Sequence, residues 1–221
     1  MVAGERARAL MRATLFGLFL VYVQSSGYSG FSLFLFIGWS LYLYLTPVSR
    51  TYTGTTAWIS LISLALITPS RFTLITPQWA PHPVLPEYVF AFIFAALCFI
   101  YVSITLGSIG YRERWYEVLH AGLIWGVSLL YTAGASGLHP VRAMIIGAFF
   151  IVALTVEYLR MHGQQSGRVA RMAGVLVAMQ FLQLAWALRF LPLSIGSGAM
   201  LLAIIVVVGT ATTEQYLRGT L

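Results

Sequence analysis

Few side chains in this chain have both the type and the spacing that chemistry needs. Glu117 and His120 form a Glu-x-x-His step, three residues apart on one helical face. Paired copies of this step hold two-metal sites in helical bundles, but the chain carries a single copy. A hydrogen-bonded pair at a membrane interface is therefore the first interpretation of the two residues. The alternative is that they bind a ligand or act on one.

A second polar group lies in an apolar segment nearer the C-terminus. Gln180 and Gln183 are three residues apart, Trp186 follows after three more, and Arg189 comes next at the same spacing. This spacing places Gln180 and Gln183 on one face of a helix. Because amides in lipid need hydrogen-bond partners, such a pair typically joins helices. The alternative is a binding site that opens outward and holds a polar or anionic headgroup.

Other kinds of chemistry find no support in the sequence. All thirteen basic residues are arginine, so no lysine is present to form a Schiff base. The single cysteine, Cys98, lies in an apolar run and has no second cysteine with which to form an internal disulfide. The histidines other than His120 fall in predicted loops, where no pair of them can hold a haem iron within the membrane. We therefore predict no catalytic residue, no metal and no cofactor.

The composition indicates a membrane protein. Of the 221 residues, 59% are hydrophobic and only 9% are charged, whereas a soluble domain has about 25% charged residues. The apolar runs are longer than the alternating segments of roughly ten residues that build a membrane β-barrel. We therefore predict an all-α, polytopic transmembrane helical bundle that forms one integral membrane domain over residues 1–221.

Eight apolar segments are long enough to be considered as spans, which we arrange as four helical hairpins. The predicted spans are 10–24, 31–47, 52–68, 87–106, 115–131, 141–159, 169–191 and 198–212. The third, 52–68, is short for a full crossing, since a spanning helix needs about 20 residues. Its alternative is a re-entrant or interfacial segment.

The stretch 69–86 contains five of the chain's eight prolines. Proline lacks a backbone donor, so we expect no helix in this stretch. A stiff connector at the membrane interface is the first interpretation, and a lid or a docking surface is the alternative.

Two segments resemble each other, 141–160 and 198–218. Both contain an Ala-Met pair near the start, a Thr-x-Glu step, and the ending Tyr-Leu-Arg. Since the two segments would run in the same direction through the membrane, we predict a parallel hairpin repeat rather than an inverted one.

The arginines are distributed unevenly between the two ends of the predicted spans. If the N-terminus is inside, ten arginines lie at inner ends and three at outer ends. The inner ten are Arg6, Arg8, Arg12, Arg50, Arg112, Arg114, Arg160, Arg168, Arg171 and Arg218, and the outer three are Arg71, Arg142 and Arg189. By the positive-inside rule, both termini are predicted to be cytoplasmic, in a prokaryotic plasma (inner) membrane.

The predicted function is a non-catalytic integral membrane subunit or scaffold of a larger assembly. The reasons are the scarcity of charges at mid-span, the short loops and the aromatic-rich spans. The expected partners are the lipid bilayer, other membrane protein subunits, and a lipid, isoprenoid or pigment, but not nucleic acid. One alternative is a transporter or binder of a small solute or lipid through the face of Gln180 and Gln183. Another is an intramembrane enzyme that uses Glu117 and His120, or Glu87, on a lipid-like substrate.

Overall fold

The chain is helical throughout most of the part that the computed structural model describes. The structure describes residues 2–45, 55–72, 84–106, 111–135, 140–163, 167–188, 190–191 and 193–219. These ranges contain eight α-helices and no strand. The helices are α1 (Val2–Ser25), α2 (Gly30–Leu45), α3 (Thr55–Phe72), α4 (Val84–Leu106), α5 (Arg112–Ala135), α6 (Pro140–Gly163), α7 (Gly167–Leu188) and α8 (Ile195–Leu217). For these ranges the prediction of an all-α chain is confirmed.

Each predicted span overlaps one helix, and several helices continue past the apolar stretch. Helix α1 begins at Val2 rather than at residue 10, and α5 begins at Arg112 rather than at residue 115. Alanine, arginine and glutamate favour the helix as strongly as most apolar residues do. Hydropathy therefore marks the part of a helix that suits lipid, whereas the helix itself ends where its backbone hydrogen bonds end.

The expectation that residues 69–86 contain no helix was wrong at both ends of the stretch. Helix α3 continues through Pro69 to Phe72, and α4 begins at Val84 with Pro86 in its first turn. Proline is tolerated in a first turn, because its missing N–H would have no partner within the helix. Pro69 lies in the last turn of α3, so few hydrogen bonds follow it. The remainder, 73–83, is outside the described residues.

The chain divides into two compact units, residues 1–119 and residues 120–221. In the first unit, α1 packs most extensively against α4 and also contacts α2 and α3. Its buried apolar residues recur at spacings of four and three: Ala9, Ala13, Phe16, Leu20 and Val23. At Gly17 the backbones of α1 and α4 come close, because a Cβ on Gly17 would lie 3.0 Å from the Cβ of Ala95. Small residues of this kind allow membrane helices to approach each other closely.

Aromatic rings from α1, α2, α3 and α4 meet in the core of the first unit. Phe16 of α1 lies 5.1 Å from Phe36 of α2 and 6.1 Å from Trp58 of α3, measured between ring centroids. Trp58 stacks in turn on Tyr101 of α4 at 4.7 Å. Offset and tilted ring pairs at such distances stabilise a core beyond simple contact.

In the second unit, α7 packs most extensively against α6 and also contacts α8. The buried face of α7 is built mainly of small residues: Ala170, Ala173, Gly174, Val177, Ala178, Phe181 and Ala185. A Cβ at Gly174 would lie 2.8 Å from Cγ2 of Val156 and 3.1 Å from the backbone oxygen of Val152. The α6–α7 contact therefore depends on the absence of a side chain at this position.

The largest helix contacts, α1 with α4 and α6 with α7, lie outside the predicted hairpins. The arrangement as four hairpins therefore stays a prediction, as does the single membrane domain over residues 1–221.

The two similar segments also occupy different environments. Tyr158 is 6% exposed, whereas Tyr216 is 73% exposed. One extra residue, Gln215, separates Glu214 from Tyr216 and rotates the second tyrosine by about 100° around its helix.

Five helices in the described ranges are long and apolar enough to cross a membrane. They are Gly4–Ser25, Tyr88–Leu106, Val141–His162, Gly167–Leu188 and Ile195–Leu217. Two further apolar helices, Gly30–Leu45 and Thr55–Leu66, are shorter. The five long helices indicate an integral membrane protein.

Candidate functional site

The two glutamines of α7 lie on its outer face. Gln180, Gln183 and Trp186 are all exposed, with Trp186 at 53%. The opposite face of α7, with Ala178 and Phe181, is buried against the rest of the second unit. The structure therefore brings the three predicted side chains together on one surface, and this surface faces away from the helix bundle. Arg189, the fourth predicted member, lies outside the described residues.

The side chain of Gln180 lies close to α8 at one residue, Gly209. A Cβ added to Gly209 would lie 3.3 Å from the side-chain oxygen Oε1 of Gln180, so this amide rests against the α8 backbone. The backbone oxygen of Gly209 already accepts a hydrogen bond from Oγ1 of Thr213 at 2.7 Å. Among the described residues, neither Gln180 nor Gln183 has a hydrogen-bond partner. The two amides are thus available to a group outside this unit.

The depth of the amides follows from the length of α7. The helix has 22 residues, which at 1.5 Å per residue places Gln180 about 4 Å and Gln183 about 8 Å from its midpoint. The hydrocarbon of a bilayer extends about 15 Å to either side of its centre. If α7 spans the bilayer, both amides face hydrocarbon, which offers them neither a donor nor an acceptor.

Glu117 and His120 are not brought together as a reactive pair. Both belong to α5, but Glu117 is exposed whereas His120 is buried, with 4% of its surface accessible. Residues three apart on a helix differ by about 60° in direction, which is enough to put them on opposite sides of a burial boundary. The helix therefore directs the carboxylate outward and the imidazole inward.

His120 lies in a stack of three rings within the second unit. Its ring centroid is 4.5 Å from that of Tyr158, which is 4.2 Å from that of His162. His120 also forms a hydrogen bond with the backbone of Leu154, while its Nε2 has no partner in the described part of the chain. The sequence did not indicate this stack, because it depends on how α5 lies against α6.

The ends of α6 and α8 meet at one rim of the second unit. Nη2 of Arg218 donates a hydrogen bond of 2.7 Å to the backbone oxygen of His162. The same nitrogen forms an ion pair with Glu214 at 2.5 Å. Nδ1 of His162 lies 3.1 Å from the backbone oxygen of Tyr158. Helices α6 and α8 therefore end on the same side.

A second feature of this rim was also missed from the sequence. Arg160 at the end of α6 and Arg171 in the first turns of α7 both approach Gly167. The sequence indicates only how many arginines lie at each membrane side, since which of them meet depends on how α6 packs on α7.

Comparison with protein-family models, with curated proteins and with solved structures finds no match to the chain. Within the described ranges, no group of three His, Cys, Asp or Glu side chains is placed to hold a metal ion. The features that indicate a function are therefore the outward amides of α7 and the charged groups at the rim.

Proposed function

We propose that the chain is a non-catalytic integral membrane subunit, or scaffold, of a larger membrane protein assembly. The observation that carries this proposal is the outward orientation of Gln180 and Gln183 on a helix long and apolar enough to cross a membrane. We refer to Gln180, Gln183 and the neighbouring Met179 and Trp186 as the amide face of α7. Its occupant is a transmembrane helix of another membrane protein that carries a hydroxyl or amide group at the same depth.

The amide face is better suited to a protein helix than to lipid. Lipid chains cannot donate or accept hydrogen bonds, so an amide that faces them keeps its polar atoms unpaired. A neighbouring helix with a polar side chain removes this penalty, and each such bond between membrane helices contributes about 0.6 kcal/mol on average. The exposed face of α6 with Ile145, Ile146 and Phe149 is apolar and suits lipid.

The same orientation gives less support to a carrier or to an enzyme. A carrier holds its solute between helices near the middle of the bilayer, whereas Gln180 and Gln183 are on the outer face of α7. An enzyme that used Glu117 and His120 would need both side chains in one place, but one is exposed and the other buried. The side chain of Glu87 lies outside the described residues.

The proposal includes an arrangement of the chain in the membrane. All eight helices cross the bilayer as four hairpins, and both termini lie in the cytoplasm of a prokaryotic cell with this protein in its inner membrane. The excess of arginine at one end of the spans supports this orientation. Exposed rings such as Phe34, Phe92 and Phe149 contact lipid, isoprenoid or pigment. No part of the proposal involves nucleic acid.

Site-specific photocrosslinking in cells tests the proposal. A photoreactive amino acid replaces Met179, which is 53% exposed and lies beside Gln180. In a control protein it replaces Phe149, which is exposed on α6. We expect a crosslink to a different membrane protein from position 179 and none from position 149. The variant Q180L/Q183L removes two hydrogen bonds to the partner helix. If each has average strength, binding weakens about eightfold, and we expect the crosslinked fraction to fall with it.

Two results would contradict the proposal. Equal crosslinking from positions 179 and 149 would show that the amides do not determine the contact. A crosslink at position 179 only to a second copy of the chain would replace the partner protein by a homodimer. A matched M172L variant, which changes an exposed apolar residue of the same helix, should crosslink as the wild type does.

A further inference from the structure

Three arginines gather where α6 ends and α7 begins. Nη2 of Arg160 lies 3.5 Å from the position that a Cβ of Gly167 would take. Nε of Arg171 donates a hydrogen bond of 2.9 Å to the backbone oxygen of the same residue. Arg168 is adjacent in sequence and exposed. We call Arg160, Arg168 and Arg171 the arginine cluster.

The arginine cluster forms no ion pair in the part of the chain that the structure describes, whereas Arg218 at the same rim is paired with Glu214. Like charges on neighbouring side chains repel one another, so a bound anion would stabilise the cluster. The planar guanidinium group binds phosphate oxygens through two hydrogen bonds at once, which makes phosphate the best-matched anion.

An apolar surface continues from the cluster along α7. Met172 and Leu176 lie one and two turns after Arg168 on the same side of the helix, and they are 63% and 62% exposed. A free phosphate ion would gain nothing from these side chains, but the acyl chain of a phospholipid would lie along them. Basic groups at the end of membrane helices, directly above an apolar face, are typical of sites for anionic lipid headgroups.

We propose that the arginine cluster binds the phosphate group of an anionic phospholipid, with an acyl chain against Met172 and Leu176. This site goes beyond the proposed subunit function and does not depend on it. Gln180 is twelve residues from Arg168, or about 18 Å along the helix. Loss of the partner protein and loss of the lipid are therefore separate results.

The test measures lipid binding to the full-length protein. Native mass spectrometry in mild detergent compares the binding of phosphatidylglycerol, which is anionic, with that of phosphatidylcholine, which is not. Each arginine beside the bound headgroup contributes about a fivefold preference for anionic lipid. We expect R168Q to lower the preference for phosphatidylglycerol about fivefold, and R160Q/R168Q/R171Q to lower it about a hundredfold.

A charge-matched control separates the site from the effect of net charge. The variant R8Q/R114Q/R142Q also removes three positive charges, from exposed arginines outside the cluster. It should keep the lipid preference of the wild type. Circular dichroism and thermal unfolding check that each variant is folded. If R160Q/R168Q/R171Q is not folded, R168Q alone provides the test.

Three outcomes would overturn the site. The first is an unchanged preference for phosphatidylglycerol in a folded R168Q protein and in the cluster variant. The second is an equal loss of preference in the charge-matched control. The third is displacement of the bound phosphatidylglycerol by millimolar inorganic phosphate, which would make a free anion the occupant instead of a lipid.

Discussion

The close approach of α6 and α7 at Gly174 allows a quantitative prediction for Gly174→Ala. The added Cβ would lie 2.8 Å from Cγ2 of Val156 and 3.1 Å from the backbone oxygen of Val152. The valine methyl group can turn away, but the carbonyl oxygen belongs to the backbone of α6. Helices α6 and α7 must therefore separate by a few tenths of an ångström along their main contact.

The magnitude follows from two opposing effects. Replacing glycine by alanine inside a helix favours the helix by about 0.8–1.0 kcal/mol. Overpacking a close contact costs about 1–3 kcal/mol. The substitution Gly38→Ala in α2 provides the matched control, because a Cβ there would have no atom within 4 Å. Since both variants share the gain in helix propensity, the difference between them isolates the overpacking cost of about 1–3 kcal/mol.

Reversible unfolding by sodium dodecyl sulfate in mixed micelles, followed by far-ultraviolet circular dichroism, measures this difference. We expect Gly38→Ala to unfold at the same detergent fraction as the wild type or at a higher one, and Gly174→Ala to unfold at a lower one. If the two variants differ by less than about 0.5 kcal/mol, the usual uncertainty of such comparisons, the close α6–α7 contact does not limit stability and the reasoning fails.

Three smaller effects should be measurable in the same unfolding assay. Gly147→Ala should cost less than the change at position 174, because its Cβ would lie 3.2 Å from the edge of the Phe181 ring, which can rotate; an equal cost would contradict this. Tyr131→Phe removes a buried hydrogen bond to a carbonyl of α7 and should cost about 0.6 kcal/mol. Glu214→Gln breaks the pair with the half-exposed Arg218 and should cost less than about 1 kcal/mol, with faster amide hydrogen exchange confined to the end of α8.

The helices themselves could be predicted from the sequence, because a helix depends on residues close in the chain. Long apolar runs without alternation exclude a barrel and require internally bonded backbone, and each of the eight helices in the described residues overlaps a predicted span. The shared direction of Gln180 and Gln183 also follows from the helical period. The prediction for residues 69–86 is wrong for a local reason: proline breaks a helix in its interior, but Pro86 lies in a first turn, where it is tolerated.

Which side of each helix is buried was decided only by the tertiary structure. In a soluble protein the apolar stripe of a helix indicates its buried face, but a helix surrounded by lipid is apolar on all sides. The sequence therefore determined that Gln180 and Gln183 lie together, and also that Glu117 and His120 are neighbours. The packing of α7 on α6 and α8 turned both amides outward. His120 is buried beside Tyr158 and Leu154 of α6, whereas Glu117 is exposed. These orientations depend on contacts between residues far apart in the chain, which hydropathy along a single helix does not record.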